Sequence, residues 1–184
     1  FRRFYPSLSP GDVVLGDRGC CSYADLAMLV AQGNDAVFRL HGRKLTDFRR
    51  GERLGRGDHI VTWYKPYHTQ QTAISAEEWA TLPPSLRLRE VRFSVVIPGF
   101  RTSSVTVVTT LLAANLYSKD ALAELFRLRW QAELHLRDLK TSMKMEKLSC
   151  KSPDLAQKEL WVYLLAYNLI RHAMCQAGQN HHVT

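Results

Sequence analysis

Leu125-Phe126-Arg127-Leu128-Arg129-Trp130-Gln131-Ala132-Glu133-Leu134-His135-Leu136-Arg137-Asp138-Leu139-Lys140 is the most informative stretch of this 184-residue chain. At about 100° per residue, Leu125, Leu128, Ala132, Leu136, Leu139 and the following Met143 line up as the apolar spine of a helix expected over residues 119–143. Beside that spine Phe126, Arg129, Glu133 and Lys140 are spaced by three, four and seven, which places them within an arc of roughly 60°. One acid between an arginine a turn before it and a lysine two turns after it suits a place where a metal ion and a phosphate meet. The carboxylate would offer an oxygen to Mg²⁺ and the cations would neutralise phosphate oxygens. The same spacing describes an ordinary i,i+4 ion pair between Arg129 and Glu133 on a solvated face, and spacing alone leaves both open. Trp130 adjoins this stripe, where it either walls the site or packs.

Working outward, Val13-Val14-Leu15 is a short apolar run bounded by Gly11 and Gly16, as expected of a buried strand, and Asp17 stands at its C-terminal end. Ser22 is placed to cap a helix from Tyr23 to about Ala31, and Gly33 to stop it. A second strand is expected over residues 36–40. Alternating stretches at 59–64, 89–97 and 104–111, broken by Pro66, Pro83-Pro84 and Pro98-Gly99, read as strands of a mostly β insertion. Ser152-Pro153-Asp154 opens a last helix running to about residue 177, with an N-cap, a proline at the first helical position and an acid in the first turn. Apolar residues around most of that helix predict its burial. The expected division is a core segment over 1–40, a β-rich insertion over 41–112 and a helical part over 113–184.

Lys and Arg outnumber Asp and Glu by 25 to 17, a surplus of eight charges that points to an anionic partner. Nucleic acid is favoured over a membrane surface, because no apolar run approaches the ~20 residues that span a bilayer. Between residues 39 and 56 seven basic side chains (Arg39, Arg43, Lys44, Arg49, Arg50, Arg53 and Arg56) face two acidic ones. Such a ribbon suits phosphate contacts, since counterion release rewards clustered cations without base readout; a solvated loop is the plainer reading. Cys20, Cys21, Cys150 and Cys175 match neither a zinc ribbon nor a redox pair and are expected to be reduced. Trp63 and Trp79 are candidates for core packing or for stacking on a base.

The quoted stretch resembles the Y-x2-R-x3-E-x6-K motif of bacterial insertion-sequence DDE transposases, through Arg129, Trp130, Glu133 and Lys140, with Phe126 where the family has tyrosine. The strand ending in Asp17-Arg18-Gly19 resembles the segment carrying that family's second catalytic aspartate. The resemblance implies an α/β fold: a partial ribonuclease H-like catalytic core with a mostly β insertion and two long C-terminal helices. It implies that Asp17 and Glu133 are catalytic and bind metal, and that Phe126, Arg129, Trp130 and Lys140 face DNA, joined by Arg43, Lys44, Arg49, Arg50 and Arg53 of the ribbon. Two Mg²⁺ ions, replaceable by Mn²⁺, are implied, about 3.5–4 Å apart at a scissile phosphate. The implied partners are double-stranded transposon ends and target DNA, with a homodimer in the synaptic complex, no membrane, and a bacterial cytoplasmic location. A first aspartate, on a strand ahead of Phe1, is expected to be missing, so that the isolated chain would be inactive. The alternative is a catalytically inactive DNA-binding relic of a truncated mobile element.

Overall fold

Strand β1 (Val13–Gly16) leads through a short 3₁₀ turn into helix α1 (Tyr23–Ala31). The Ser22 hydroxyl caps α1 by accepting the Asp25 backbone N–H at 3.0 Å. Gly33, at φ +76°, ends the helix in the left-handed conformation that glycine adopts without a Cβ penalty. Strand β2 (Asp35–Arg39) then lies parallel to β1, from Val13 opposite Asp35 to Gly16 opposite Phe38. The structure, a computed structural model, describes residues 1–42, 44–67, 74–95, 103–145 and 147–180, without the side chains of Val95, Ser103, Trp130 and Asn180. Pro98-Gly99 and the expected strand end at Ile97 lie outside the described residues.

Four further strands complete one mixed sheet: β3 (Glu52–Gly55), β4 (Asp58–Tyr64), β5 (Ser85–Val95) and β6 (Ser103–Thr109), in the order β1-β2-β6-β5-β4-β3. Because β6 pairs antiparallel with β2 from Val37–Thr109 to Arg39–Val107, the strands of the expected insertion continue the sheet begun by β1 and β2. Period-two alternation gives this sheet two buried faces. On one, Ala36, Phe38, Leu86, Leu88 and Val108 pack with Tyr23 and Leu26 of α1. On the other, Val37, Val91, Phe93, Val105 and Val107 pack with Leu122 and Phe126 of helix α3 (Lys119–Thr141).

Three elements go beyond the expectations from sequence. Strand β3 is a mostly exposed edge strand without alternation to betray it. Helix α2 (Ala76–Thr81) is a single short turn closed by a reciprocal capping box between Ser75 and Glu78. The N-terminal segment holds a 3₁₀ helix over Arg2–Ser7. It is fastened because Arg2 Nε and Tyr5 Oη both donate to the buried Asp25 carboxylate, at 2.7 and 2.9 Å.

The chain divides into two units, Phe1–Arg127 and Leu128–Thr184, with α3 running from the first into the second. Two expectations about the long helices are corrected. The apolar spine of α3 is buried only in part: Leu139 is buried and Leu125 packs on the core, but Leu128 and Leu136 are 47% and 54% exposed, while Leu122 and Phe126, outside the spine, are buried. At the N-terminal half, the i,i+4 pair Leu122 and Phe126 meets the sheet, which rotates the buried side away from the predicted line. Helix α4 (Pro153–Asn180) was expected to be buried all round, yet Trp161, Val162, Leu165 and Leu169 are all exposed. Its less exposed stripe is Tyr163, Leu164 and Tyr167, the last with its ring 6.1 Å from that of His135. One helical neighbour can cover only one stripe of a helix.

Candidate active site

Asp17 follows directly on β1, and the parallel register that sets Gly16 opposite Phe38 sets Asp17 beside Arg39 at the carboxyl ends of both strands. Open α/β sheets place ligands outside the carboxyl ends of their parallel strands. The Asp17 side chain is half exposed, and its Oδ1 lies 3.9 Å from Arg39 Nη1. This is a loose pair that leaves the carboxylate accessible.

Gly16 makes this approach possible. A Cβ there would come within 2.6 Å of Phe38 Cδ1 and 2.8 Å of Cys20 Cβ, closer than carbon atoms pack. Gly16→Ala is therefore expected to cost about 1–3 kcal/mol by overpacking and to displace Asp17. A urea midpoint equal to that of the unsubstituted chain would remove this account.

In the second unit Glu133 accepts an ion pair from Arg129, Nη1 to Oε1 at 2.5 Å, so the i,i+4 reading of this pair holds in the structure. The pairing leaves the Glu133 side chain 41% exposed, while that of Arg129 is mostly covered. Lys140 is exposed and, with Thr141, Lys144 and Lys147, lines an open cationic concavity of about 470 Å³.

Phe126 departs from the expected DNA-facing set. It is 3% exposed, with its ring edge-on to Phe93 at 6.0 Å between centroids, because a phenyl ring gains more from the apolar face of the sheet than from water. The side chain of Trp130 and the whole of Arg43 lie outside the described residues.

Within the ribbon, Arg49 and Arg50 are exposed and share Asp47, at 3.0 and 3.5 Å. Arg53 is exposed on β3. Lys44 lays its ammonium over the ring of Trp63, and burial there pulls its pKa down to about 8 although the residue as a whole is exposed. Trp63 is also fixed by its indole N–H, which donates to Glu90 Oε1 at 2.8 Å. Trp79 sits edge-on to Tyr23, so both tryptophans are partly buried against the core.

Arg18 and Arg92 escape a reading of the sequence. With Arg39, His41 and Lys44 they line a cavity of about 220 Å³ at the Asp17 end of the sheet. The available signal was basic residues recurring along β5, at Arg87, Arg89 and Arg92.

Asp17 and Glu133 are oxygen donors, the type that suits a hard divalent cation, whereas the nearby thiols do not. All four cysteines are free, and burial pushes the Cys21 thiol up to about 12. Among the described residues no three His, Cys, Asp or Glu side chains come together as a metal-binding group. Within the described residues, each candidate carboxylate thus stands outside any such group.

The chain belongs to the transposase DDE-domain family, whose model matches residues 2–169. Members of that family act on DNA and work with divalent metal ions. The chain is 25% identical over 170 residues to the transposase InsG for insertion sequence element IS4 of Escherichia coli strain K12, covering 91% of this chain and 36% of that protein. It is 38% identical over 64 residues to the Escherichia coli transposase for insertion sequence element IS421, covering 35% of this chain and 17% of that one. The chain thus spans about a third of the length of the first of these relatives. No described helix is long and apolar enough to cross a membrane.

Proposed function

We propose that this chain is the part of a ribonuclease H-like transposase core that contributes two of the catalytic carboxylates, Asp17 from the end of β1 and Glu133 from α3. One observation supports the reading: Asp17 lies just past the carboxyl end of β1, which pairs parallel with β2, accessible and flanked by Arg39, as expected if it is the family's strand-borne aspartate. The family match and the insertion-sequence relatives support this reading over that of an inactive relic.

Asp17 and Glu133 would hold the divalent ions together with a further carboxylate. Paired Mg²⁺, or Mn²⁺ in its place, supplies Lewis acidity at the attacking and leaving oxygens of an in-line displacement. The chain's own residues then bind and orient DNA. Arg129 neutralises phosphate charge while holding Glu133 in its rotamer, and Lys140 and the ribbon residues Arg43, Lys44, Arg49, Arg50 and Arg53 carry the backbone past the site. The substrates are transposon-end duplex and target DNA, and the working assembly is a dimer on paired ends in the bacterial cytoplasm.

The test is cleavage of a terminal-repeat duplex in Mg²⁺ or Mn²⁺ by a transposase carrying this chain, with Asp17→Asn as the comparison. Asn is isosteric and keeps the strand end intact, so the expected result is loss of nicking by about 10²-fold or more with duplex affinity retained. Equal nicking by the two proteins would place the metal site elsewhere.

A further inference from the structure

The cavity at the Asp17 end of the sheet brings together residues from three separate strands or their ends. Arg18 follows β1, Arg39 ends β2, and Arg92 comes from β5, opposite Thr106 of β6. Four of its twelve lining residues are cationic and none is acidic. Hydroxyl residues Thr46, Ser104 and Thr106 share the lining with His41, Gly42 and the apolar Leu40, Leu45 and Val105.

Of the arginines that line it, Arg92 is held by its surroundings. Arg92 Nε donates to Thr106 Oγ1 at 3.3 Å, and its guanidinium carbon lies 4.6 Å from the centre of the Phe48 ring. Arg39 lies at the other side, in its loose approach to Asp17 at 3.9 Å. A guanidinium held over an aromatic ring retains N–H donors of the kind that recognise phosphate oxygens. At about 220 Å³ the cavity is the size of a phosphate group with a few waters, too small for a base pair.

We infer that this cavity is a phosphodiester subsite: it seats one non-scissile backbone phosphate of the DNA strand, with Arg18 and Arg92 as its positioning residues. The inference rests on the proposed function for the identity of the strand. Arg39 lies between the seated phosphate and the Asp17 carboxylate, so a phosphate drawing on Arg39 sets the distance from the backbone to Asp17. Arg18 and Arg92 bind the backbone without entering the chemistry.

Two arms test this on the 184-residue chain, each comparing it with the Arg18→Gln/Arg92→Gln double variant after confirming unchanged amide spectra in the core. In the first arm, titration with inorganic phosphate is expected to shift the backbone amides of Arg39, Gly42, Ser104 and Thr106, and the double variant to weaken that binding about tenfold or more. In the second, duplex binding is measured against salt. Each lost phosphate contact makes the slope of log affinity on log salt shallower by about 0.9, so the double variant is expected to lower it by nearly one for a single seated phosphate.

Amides that do not respond to phosphate overturn the subsite. A phosphate response with an unchanged salt slope overturns the DNA assignment and makes the cavity a free-phosphate site. Because Asp17-dependent nicking is read in a separate assay, either failure leaves the transposase reading standing, and loss of that reading alone leaves the phosphate response intact.

Discussion

Glu133→Gln is expected to abolish metal-dependent strand cleavage, by about 10²–10³-fold or more, in a transposase that carries this chain, while duplex affinity stays within about twofold. The substitution separates two roles the structure allows for one carboxylate. As the partner of Arg129, Glu133 holds an i,i+4 pair on α3, and pairs of that kind contribute only about 0.2–0.5 kcal/mol. A glutamine keeps the length and an acceptor oxygen for Arg129, so helix stability and DNA binding should barely change. As a metal ligand, Glu133 supplies the negative charge that a neutral amide lacks, so cleavage should fail. Single-turnover nicking in Mg²⁺, read beside helicity and duplex affinity, decides between them. Full nicking activity in Glu133→Gln would reduce Glu133 to its partnership with Arg129.

Arg89→Met is expected to destabilise the first unit by about 3–5 kcal/mol, more than the overpacking expected of Gly16→Ala. Arg89 has no exposed surface; its guanidinium donates to both Asp58 oxygens, at 2.8 and 2.6 Å, and to the Tyr117 carbonyl at 2.6 Å. Removing it strands the buried Asp58 carboxylate and frees the segment just ahead of α3. Because the cost comes from an uncompensated charge, Arg89→Met/Asp58→Leu should recover most of it. Urea unfolding of the two variants supplies the comparison. A double variant no more stable than the single one would mean that the tie to Tyr117, and not the ion pair, carries the effect. The consequence for function is indirect: Arg89 anchors the start of the helix whose later turns carry Glu133.

Much of the fold was legible because it rests on local signals. Three apolar residues between glycines gave β1, a serine before an apolar run gave the start of α1, and alternation gave β4, β5 and β6. The long helices were legible from their periodicity and from the Ser152-Pro153-Asp154 start. What failed to show depended on partners far along the chain. Phe126 has the spacing of a site residue and the chemistry of a core residue, and only the sheet face opposite it decided for the core. Leu128 and Leu136 have core spacing, but about half of each stays exposed. Arg18 and Arg92 are far apart in sequence, and only the pairing of β2, β5 and β6 brings them to one cavity beside Asp17.

The amino-acid sequence by itself determined the local features on which the family resemblance rests: an aspartate closing a strand, a glutamate between an arginine and a lysine on a helix, and an excess of positive charge. Those signals are local because capping, alternation and helical periodicity are set by neighbours within a turn or two. Tertiary structure alone decided that the β-rich segment joins the sheet of β1 and β2, that Arg89 and Asp58 are buried together, and that three distant arginines converge near Asp17. Strand pairing and burial depend on which surfaces meet, and no window of adjacent residues encodes that.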